Sequence, residues 1–411
     1  MAGGPGSYVF GEAERKEVME VLESGYLFRY GSEEDPRFLH KVASFEKEFA
    51  AHMNAKYCVA TTSGTSSLLD CLAAIGVGPG DEVIVPGYTF IASISSIVLS
   101  NAIPVLAEID ESLTLDPDDV ERKITDRTKA IMPVHMLGNP CKMDRIMEIA
   151  RKHNLYVIED CCQAVGASFG DKKCGTIGNI GAYSLNWFKT ITTGDGGAVV
   201  TNDENLYERA FGFHDQGHKP SRMGVEVGNR SIIGMNMRMN EVTGAMALIQ
   251  TRKLPDILAT LRAKKARLKA QLTDIEGLEF RTINDEKGEC ATLLTLLLPS
   301  KEIADKFGEK IGSKTIAHSG WHVYNNMEQI LDKKTVTKFN CPYACAQYGK
   351  PVEYHKHMLP QTDSILDRAM NISVGVVDGG LGSAFGININ SANDEIDAVA
   401  ESLRKILKEV L

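Results

Sequence analysis

Tyr156-Val-Ile-Glu-Asp160-Cys-Cys-Gln163 opens a stretch that continues through Gly181-Ala-Tyr-Ser184-Leu-Asn-Trp-Phe-Lys189 and Thr192-Thr-Gly-Asp-Gly-Gly197. It closes on Ala198-Val-Val-Thr201-Asn202. Its three short apolar runs have the length and composition of buried strands. The first delivers a carboxylate, the second ends at a hydroxyl, and a lone lysine follows five residues later. A glycine cluster then brings backbone close to that lysine before the third run begins. Ligands of sheets covered on both faces collect at the carboxyl ends of strands, so Asp160, Gln163, Ser184 and Lys189 are site candidates.

Outward from this stretch, strands and helices alternate. Residues 57–60, 82–85, 104–107 and 130–134 read as strands, and 42–52, 68–75, 88–99 and 143–153 as helices. Short apolar strands separated by helices predict an α/β fold with a mostly parallel sheet between helices. A helix reaching Lys253, Pro255, and a second helix over 257–275 place a domain boundary near Pro255. The expected division is 1–254 as the large domain and 255–411 as a smaller α+β domain. The latter has a strand at 292–298 and helices at 301–311 and 393–410.

The chain has 411 residues, 43% hydrophobic and 24% charged, with a formal charge of −9. That charge argues against nucleic acid or an anionic membrane as the main partner. No apolar run approaches the roughly 20 residues that span a bilayer. Met1-Ala-Gly-Gly-Pro-Gly-Ser7 has neither the basic nor the apolar region of a signal peptide, so a cytoplasmic protein is expected. The nine cysteines are scattered, and most sit among apolar residues, where reduced cysteine behaves as a small hydrophobe. Cys341-Pro-Tyr-Ala-Cys345, with His355 and His357 downstream, lacks the tight repeated spacing of zinc ligands. These residues read as core or surface, and no metal is expected.

Each candidate has a structural reading beside its chemical one. Asp160 at the end of a buried strand needs a cationic partner, or it caps the segment that follows. Lys189, beside Trp187 and Phe188, has the partly desolvated setting that lowers an amine's pKa and makes it a nucleophile. The run Thr61-Thr-Ser-Gly-Thr-Ser-Ser67 between strand and helix suits an anion, and equally an N-cap. Phe90 would stack on a ring or join the core, and His135 reads as a satisfied core histidine. The aromatic run Gly25–Gly31 is a packed connector or an arm toward an active site. His318, Trp321, His322 and Tyr324 fit sugar stacking or plain packing.

Together these motifs resemble the DegT/DnrJ/StrS sugar aminotransferases among the fold-type I pyridoxal-phosphate enzymes. The likeness runs from about Phe10 to Thr251. It rests on Ser63-Gly-Thr-Ser-Ser-Leu68, Gly80-Asp-Glu-Val-Ile-Val-Pro86, Thr89-Phe90, Thr128-Lys-Ala-Ile-Met-Pro-Val-His135, Glu159-Asp160, Gln163-Ala-Val-Gly166, the stretch Ser184 to Lys189, Gly194-Asp-Gly-Gly197 and Asn236-Met-Arg-Met239. The resemblance implies pyridoxal 5′-phosphate with Lys189 as its Schiff-base partner and proton carrier. Backbone N–H groups of Thr65 and Ser66, and the Ser184 hydroxyl, would meet the phosphate. Phe90 would stack on the ring, Asp160 pair with its nitrogen and Gln163 bond its oxygen. It also implies a homodimer with shared active sites, in which Asn236 reaches the partner's phosphate. The reaction implied moves an amino group from an amino acid, glutamate, to a keto-sugar. A sugar dehydratase of the same family carries histidine in place of the lysine, and a non-catalytic regulator is the third reading. Two stretches depart from the family pattern: Asn186-Trp-Phe188 before the lysine, and the C-terminal region from Leu359-Pro-Gln-Thr-Asp-Ser-Ile-Leu366 to Phe385-Gly-Ile387. Acceptor recognition is expected there, and the C-terminal region resembles the keto-octulosonate branch more than the nucleotide-hexose one.

Overall fold

In the computed structural model, which describes residues 2–220 and 228–411, the strands in chain order are β1 (Tyr57–Thr61), β2 (Glu82–Pro86), β3 (Ile103–Ala107), β4 (Thr128–Ile131) and β5 (Tyr156–Asp160), followed by a small hairpin of β6 (Ser168–Phe169) and β7 (Lys172–Lys173), then β8 (Ile180–Ser184) and β9 (Gly197–Thr201). Seven of them form one sheet in the order β1-β9-β8-β5-β4-β2-β3. Only β9 runs against its neighbours. The reason is local: the connection from β8, residues 185–196, contains no helix, and a parallel return needs a crossover. The other strands leave their carboxyl ends on one edge, where the segments after β1, β2, β5 and β8 converge. Their residues are buried almost throughout, as a sheet sandwiched between helices requires. The fold is that of the fold-type I transferases, as the sequence implied.

A three-stranded antiparallel sheet follows: β10 (Glu279–Phe280), β11 (Leu293–Leu297) and β12 (Ala369–Ser373). The helices Met143–His153, Lys301–Ile311 and Asn393–Val410 have the bounds expected from their amphipathic spacing. Around Pro255 the structure differs from the sequence reading, because one helix, Glu241–Ala270, runs straight through it. Proline removes one helical hydrogen bond, yet tertiary packing on both sides outweighs that local loss. Leu248, Leu254, Leu258, Leu261 and Leu268 all lie in one apolar cluster, with Phe45 and Ala198 from one side and Leu296 and Leu403 from the other. β12 was not anticipated, since Ala-Met-Asn-Ile-Ser shows no strand alternation. Its buried Asn371 is satisfied by distant partners, Thr295 Oγ1 at 2.7 Å and the Leu381 carbonyl at 2.8 Å.

Cys341 and Cys345 form a disulfide, which corrects the reading of both as reduced core or surface thiols; the other seven cysteines are free. No helix among the described residues is long and apolar enough to cross a membrane.

Candidate active site

A cavity of about 610 Å³ opens at the carboxyl edge of the large sheet. Thr65, Phe90, Asp160, Gln163, Ser184 and Lys189 all line it. Ser66 and Asn236 do not. Ser66 is buried and its N–H donates to Ser63 Oγ at 3.1 Å, so it serves the helix cap, and Gly64 takes its place in the lining. Asn236 is exposed on the segment that bridges Asp215, away from the cavity.

One end of the cavity is an anion cradle. Ser63 caps the helix Gly64–Ile75, whose first two N–H groups, on Gly64 and Thr65, have no intrahelical carbonyl to bond. They carry the positive end of the helix toward the cavity. Gly64 makes the approach possible, since a Cβ there would sit 2.6 Å from Ser184 Cβ and 3.0 Å from Cys162 Sγ. The Ser184 hydroxyl therefore lies against the helix start.

Phe90, Asp160 and Gln163 line the cavity beyond the cradle. Phe90 caps the helix Ile91–Leu99 and is 40% exposed, an unusual exposure for so large a ring. Asp160 is buried, accepting from Ser93 Oγ at 2.7 Å and from the Cys162 N–H at 3.0 Å. Ser93, missed in the sequence, stands one helical turn from Phe90 on the same face. Gln163 Oε1 accepts from the Leu137 N–H at 3.1 Å, and its amide NH₂ has no partner among the described residues. Leu137 itself has φ 55°, a strained value for leucine. Buried Arg281 holds that turn by donating to the carbonyls of Met136 at 3.2 Å and Leu137 at 2.9 Å.

The side-chain amine of Lys189 makes no hydrogen bond or ion pair with another described residue. Burial pulls its pKa below the ordinary lysine value, against the opposing fields of Cys162, Asp160 and Asp378. Its turn is fixed by the Lys189 N–H donating to the Asn186 carbonyl at 3.0 Å, and by Asn186 Nδ2 donating to Asp195 at 2.9 Å. Asn186 and Phe188 line the cavity, while Trp187 turns away and donates to the Ala2 carbonyl at 3.0 Å. The N-terminal residues thus strap the lysine turn. Gly4 donates to the Trp187 carbonyl at 3.1 Å, Gly6 to the Lys189 carbonyl at 3.4 Å, and Gly3 pairs with Val377 through two bonds of 3.0 Å. Buried Gln250 ties the strap down, accepting from the Thr192 N–H and donating to the Gly6 carbonyl. A Cβ on Gly4 would meet the Phe188 carbonyl carbon at 2.3 Å. Gly4→Ala should therefore lift the strap, seen as faster amide exchange across 186–193 in the variant than in the wild type.

His135, Glu159 and Cys161 offer three donor atoms within 4.8 Å of one another, all buried. Their lone pairs are engaged within the protein. Glu159 accepts from the N–H groups of Gly175, Ile177 and Gly178 and from His135 Nε2, while His135 Nδ1 accepts from the Cys141 N–H. This knot fixes the strand that ends in Asp160. Tyr324 is buried, and His318 bonds Thr315 Oγ1 at 2.9 Å, so both are packing residues. Trp321 and His322 line the cavity. Of the aromatic run near the N-terminus, Arg29 and Tyr30 are tied to Glu46 and Asp215, whereas Leu27 and Phe28 remain about half exposed.

A lone desolvated lysine, a buried carboxylate, an open aromatic ring and an anion cradle at the carboxyl edge of such a sheet define a cofactor-dependent transferase. The chain belongs to the DegT/DnrJ/EryC1/StrS aminotransferase family, whose pattern it matches over residues 9–374. GDP-perosamine synthase of Caulobacter vibrioides is 41% identical over 247 residues, 60% of this chain and 63% of that protein. The spore coat polysaccharide biosynthesis protein SpsC of Bacillus subtilis is 35% identical over 407 residues, 97% of this chain and 96% of that one. Among solved structures, an aminotransferase from Psychrobacter cryohalolentis superposes with a TM-score of 0.79 at 29% identity, covering 98% of each chain. The family's enzymes depend on pyridoxal 5′-phosphate. The cavity fits that group on its own evidence: the cradle opened by Gly64, the unpartnered Gln163 amide and the unpaired amine of Lys189 match its phosphate, its oxygen and its aldehyde.

Proposed function

We propose that this protein moves an amino group from an amino acid, glutamate, to a keto-sugar, and that the amino-sugar formed serves surface polysaccharide or secondary metabolite synthesis. The observation that carries the reading is the lone amine of Lys189 placed between Asp160 and the anion cradle. The polysaccharide role named for the Bacillus relative, which this chain matches along nearly its whole length, supports a sugar as acceptor. The acceptor in this proposal is an 8-keto octulosonate or a nucleotide-linked keto-hexose.

When bound, pyridoxal phosphate supplies the aldehyde that carries the amino group and the ring that draws off electron density. Gly64, Thr65 and Ser184 would hold its phosphate, Phe90 its face, Gln163 its ring oxygen and Asp160 its ring nitrogen in the charged form. Lys189 does the proton work. Its lowered pKa supplies free amine, which takes the proton from the donor's α-carbon and returns one to the acceptor carbon in the second half of the cycle. The same lysine separates this reading from the dehydratase, which carries histidine there. Mixing the holoenzyme with glutamate should bleach its visible absorbance and release 2-oxoglutarate. No spectral change with any amino acid would sink the reading.

Asn236 reaches a second copy's cavity in this proposal. Its exposure, and the exposed Leu27, Phe28, Ile233 and Met235, support such an interface. The solution mass should then be twice the 44.9 kDa of the chain.

Weakening of the cradle gives a direct test of the phosphate contacts. Gly64→Ala forces the helix start off Ser184, and overpacking of this kind costs about 1–3 kcal/mol. Cofactor affinity of the apoprotein should fall about tenfold or more, measured by fluorescence titration.

A further inference from the structure

We propose that Trp321, His322 and Asp378 form the face that recognises the amino acceptor through its neutral hydroxyl groups, with His322 Nε2 and Asp378 Oδ2 as two fixed hydrogen-bond acceptors. This rests on reading the cavity as that of a sugar aminotransferase.

The tautomer of His322 follows from its neighbours. The hydroxyl of Ser319 has one proton, and it is given to the Gly380 carbonyl at 2.6 Å. The 2.9 Å contact between Ser319 Oγ and His322 Nδ1 must then have the ring nitrogen as donor. That leaves Nε2 with a bare lone pair. The ring is 6% exposed, lines the cavity, and Nε2 has no hydrogen-bond partner among the described residues. Nε2 is therefore an acceptor open to the cavity on a ring whose direction is fixed by Ser319, which suits a hydroxyl donor of the ligand. Burial, with the nearby Lys189, pushes the His322 pKa down to about 3, so the ring stays neutral at working pH.

Asp378 is set by the same glycine. The Gly380 N–H donates to its Oδ1 at 2.8 Å, and Oδ2 has no described partner. Gly380 therefore spaces the two free acceptors through its carbonyl on one side and its N–H on the other. Two acceptors held by one short turn suit a pair of hydroxyl donors. Trp321 adds an apolar face beside them, 58% exposed and with its carbonyl pinned by the Ile91 N–H at 2.9 Å. Charge decides what this face refuses. Besides Lys189, no lysine or arginine among the described residues lines the cavity, whereas Asp160, Asp195 and Asp378 do. A phosphate or carboxylate gains nothing here, so the face takes the uncharged, hydroxylated part of the acceptor.

The test uses the holoenzyme and two unreactive hydroxylated probes, GDP-mannose and 3-deoxy-manno-octulosonate, with binding followed by calorimetry. His322→Phe and Asp378→Ala should each weaken the probe that the wild type binds by about tenfold or more. His322→Gln, which restores an acceptor near Nε2, should recover most of that loss. Equal affinities in wild type, His322→Phe and Asp378→Ala would overturn the assignment, as would failure of the wild type to bind either probe. Asp378 is only partly buried, so Asp378→Ala remains decisive if His322→Phe does not fold. The response of the wild type to glutamate tests the proposed function separately and needs no variant.

Discussion

Lys189→Ala should abolish transamination and remove the visible absorbance of the lysine-bound cofactor. Proton transfer by a positioned base is worth about 10²–10⁴ in rate, and losing the covalent anchor adds to that. No other amine lines the cavity among the described residues, so nothing nearby can substitute. Normal turnover in this variant would remove the chemical basis of the assignment. A companion variant, Lys189→Met, has a second readout in the apoprotein. Burial lowers the folded-state pKa of Lys189 below its ordinary value near 10.5. Below the lowered pKa both folded and unfolded chains bind the proton, and the folded state bears the full cost of a buried ammonium. Between the two values the unfolded chain holds the proton and the folded one does not, so stability rises with pH. Lys189→Met removes that cost. The variant's apoprotein should melt above the wild type's at neutral pH, with the gap closing as pH climbs toward 10.5.

The contrast between what the sequence predicts and what the structure holds has a physical cause. The sheet was legible because each parallel strand is a short apolar run closed by a turn, and the residues just after those runs are the ones that line the cavity. The lysine turn was legible for the same reason. Features that join distant parts of the chain were not. Gly3 pairs with Val377, and Asp378 enters the cavity beside that pair, yet neither end shows a periodic pattern. Both also fall outside residues 9–374, where the family pattern lies. The strap and Asp378 therefore lie outside the matched span, whereas Thr65, Phe90, Asp160, Gln163, Ser184 and Lys189 lie inside it. Ser66 illustrates the converse limit: a hydroxyl-rich loop before a helix offers several N–H groups, and only the cap geometry shows which are already engaged.

Glu159→Gln should destabilise the protein almost as much as Glu159→Ala, despite its matching shape. Glu159 is fully buried, and every one of its contacts is a donor. Oε1 accepts from Ile177 at 2.7 Å and Gly178 at 2.6 Å; Oε2 accepts from Gly175 at 2.8 Å and His135 Nε2 at 3.0 Å. A glutamine must point its NH₂ at one of these pairs, and flipping the amide only changes which pair it faces. His135 cannot relieve the conflict by changing tautomer. Its Nδ1 already accepts from the Cys141 N–H at 3.0 Å, so a proton moved there would face another donor. Removing one partner from a buried charged network costs about 3–5 kcal/mol, and unsatisfied buried donors about 1–3 kcal/mol each. Both variants should therefore lose about 3 kcal/mol or more in urea denaturation of the apoprotein. A Glu159→Gln variant as stable as the wild type would mean that the knot is not the donor-saturated carboxylate described. The effect should also reach the site, because Asp160 is the next residue and its carbonyl accepts from the His135 N–H at 3.0 Å. Loosening the knot should shift the Asp160 carboxylate, which the proposal sets against the cofactor ring, so the cofactor's absorbance maximum should move in Glu159→Gln even where the fold survives.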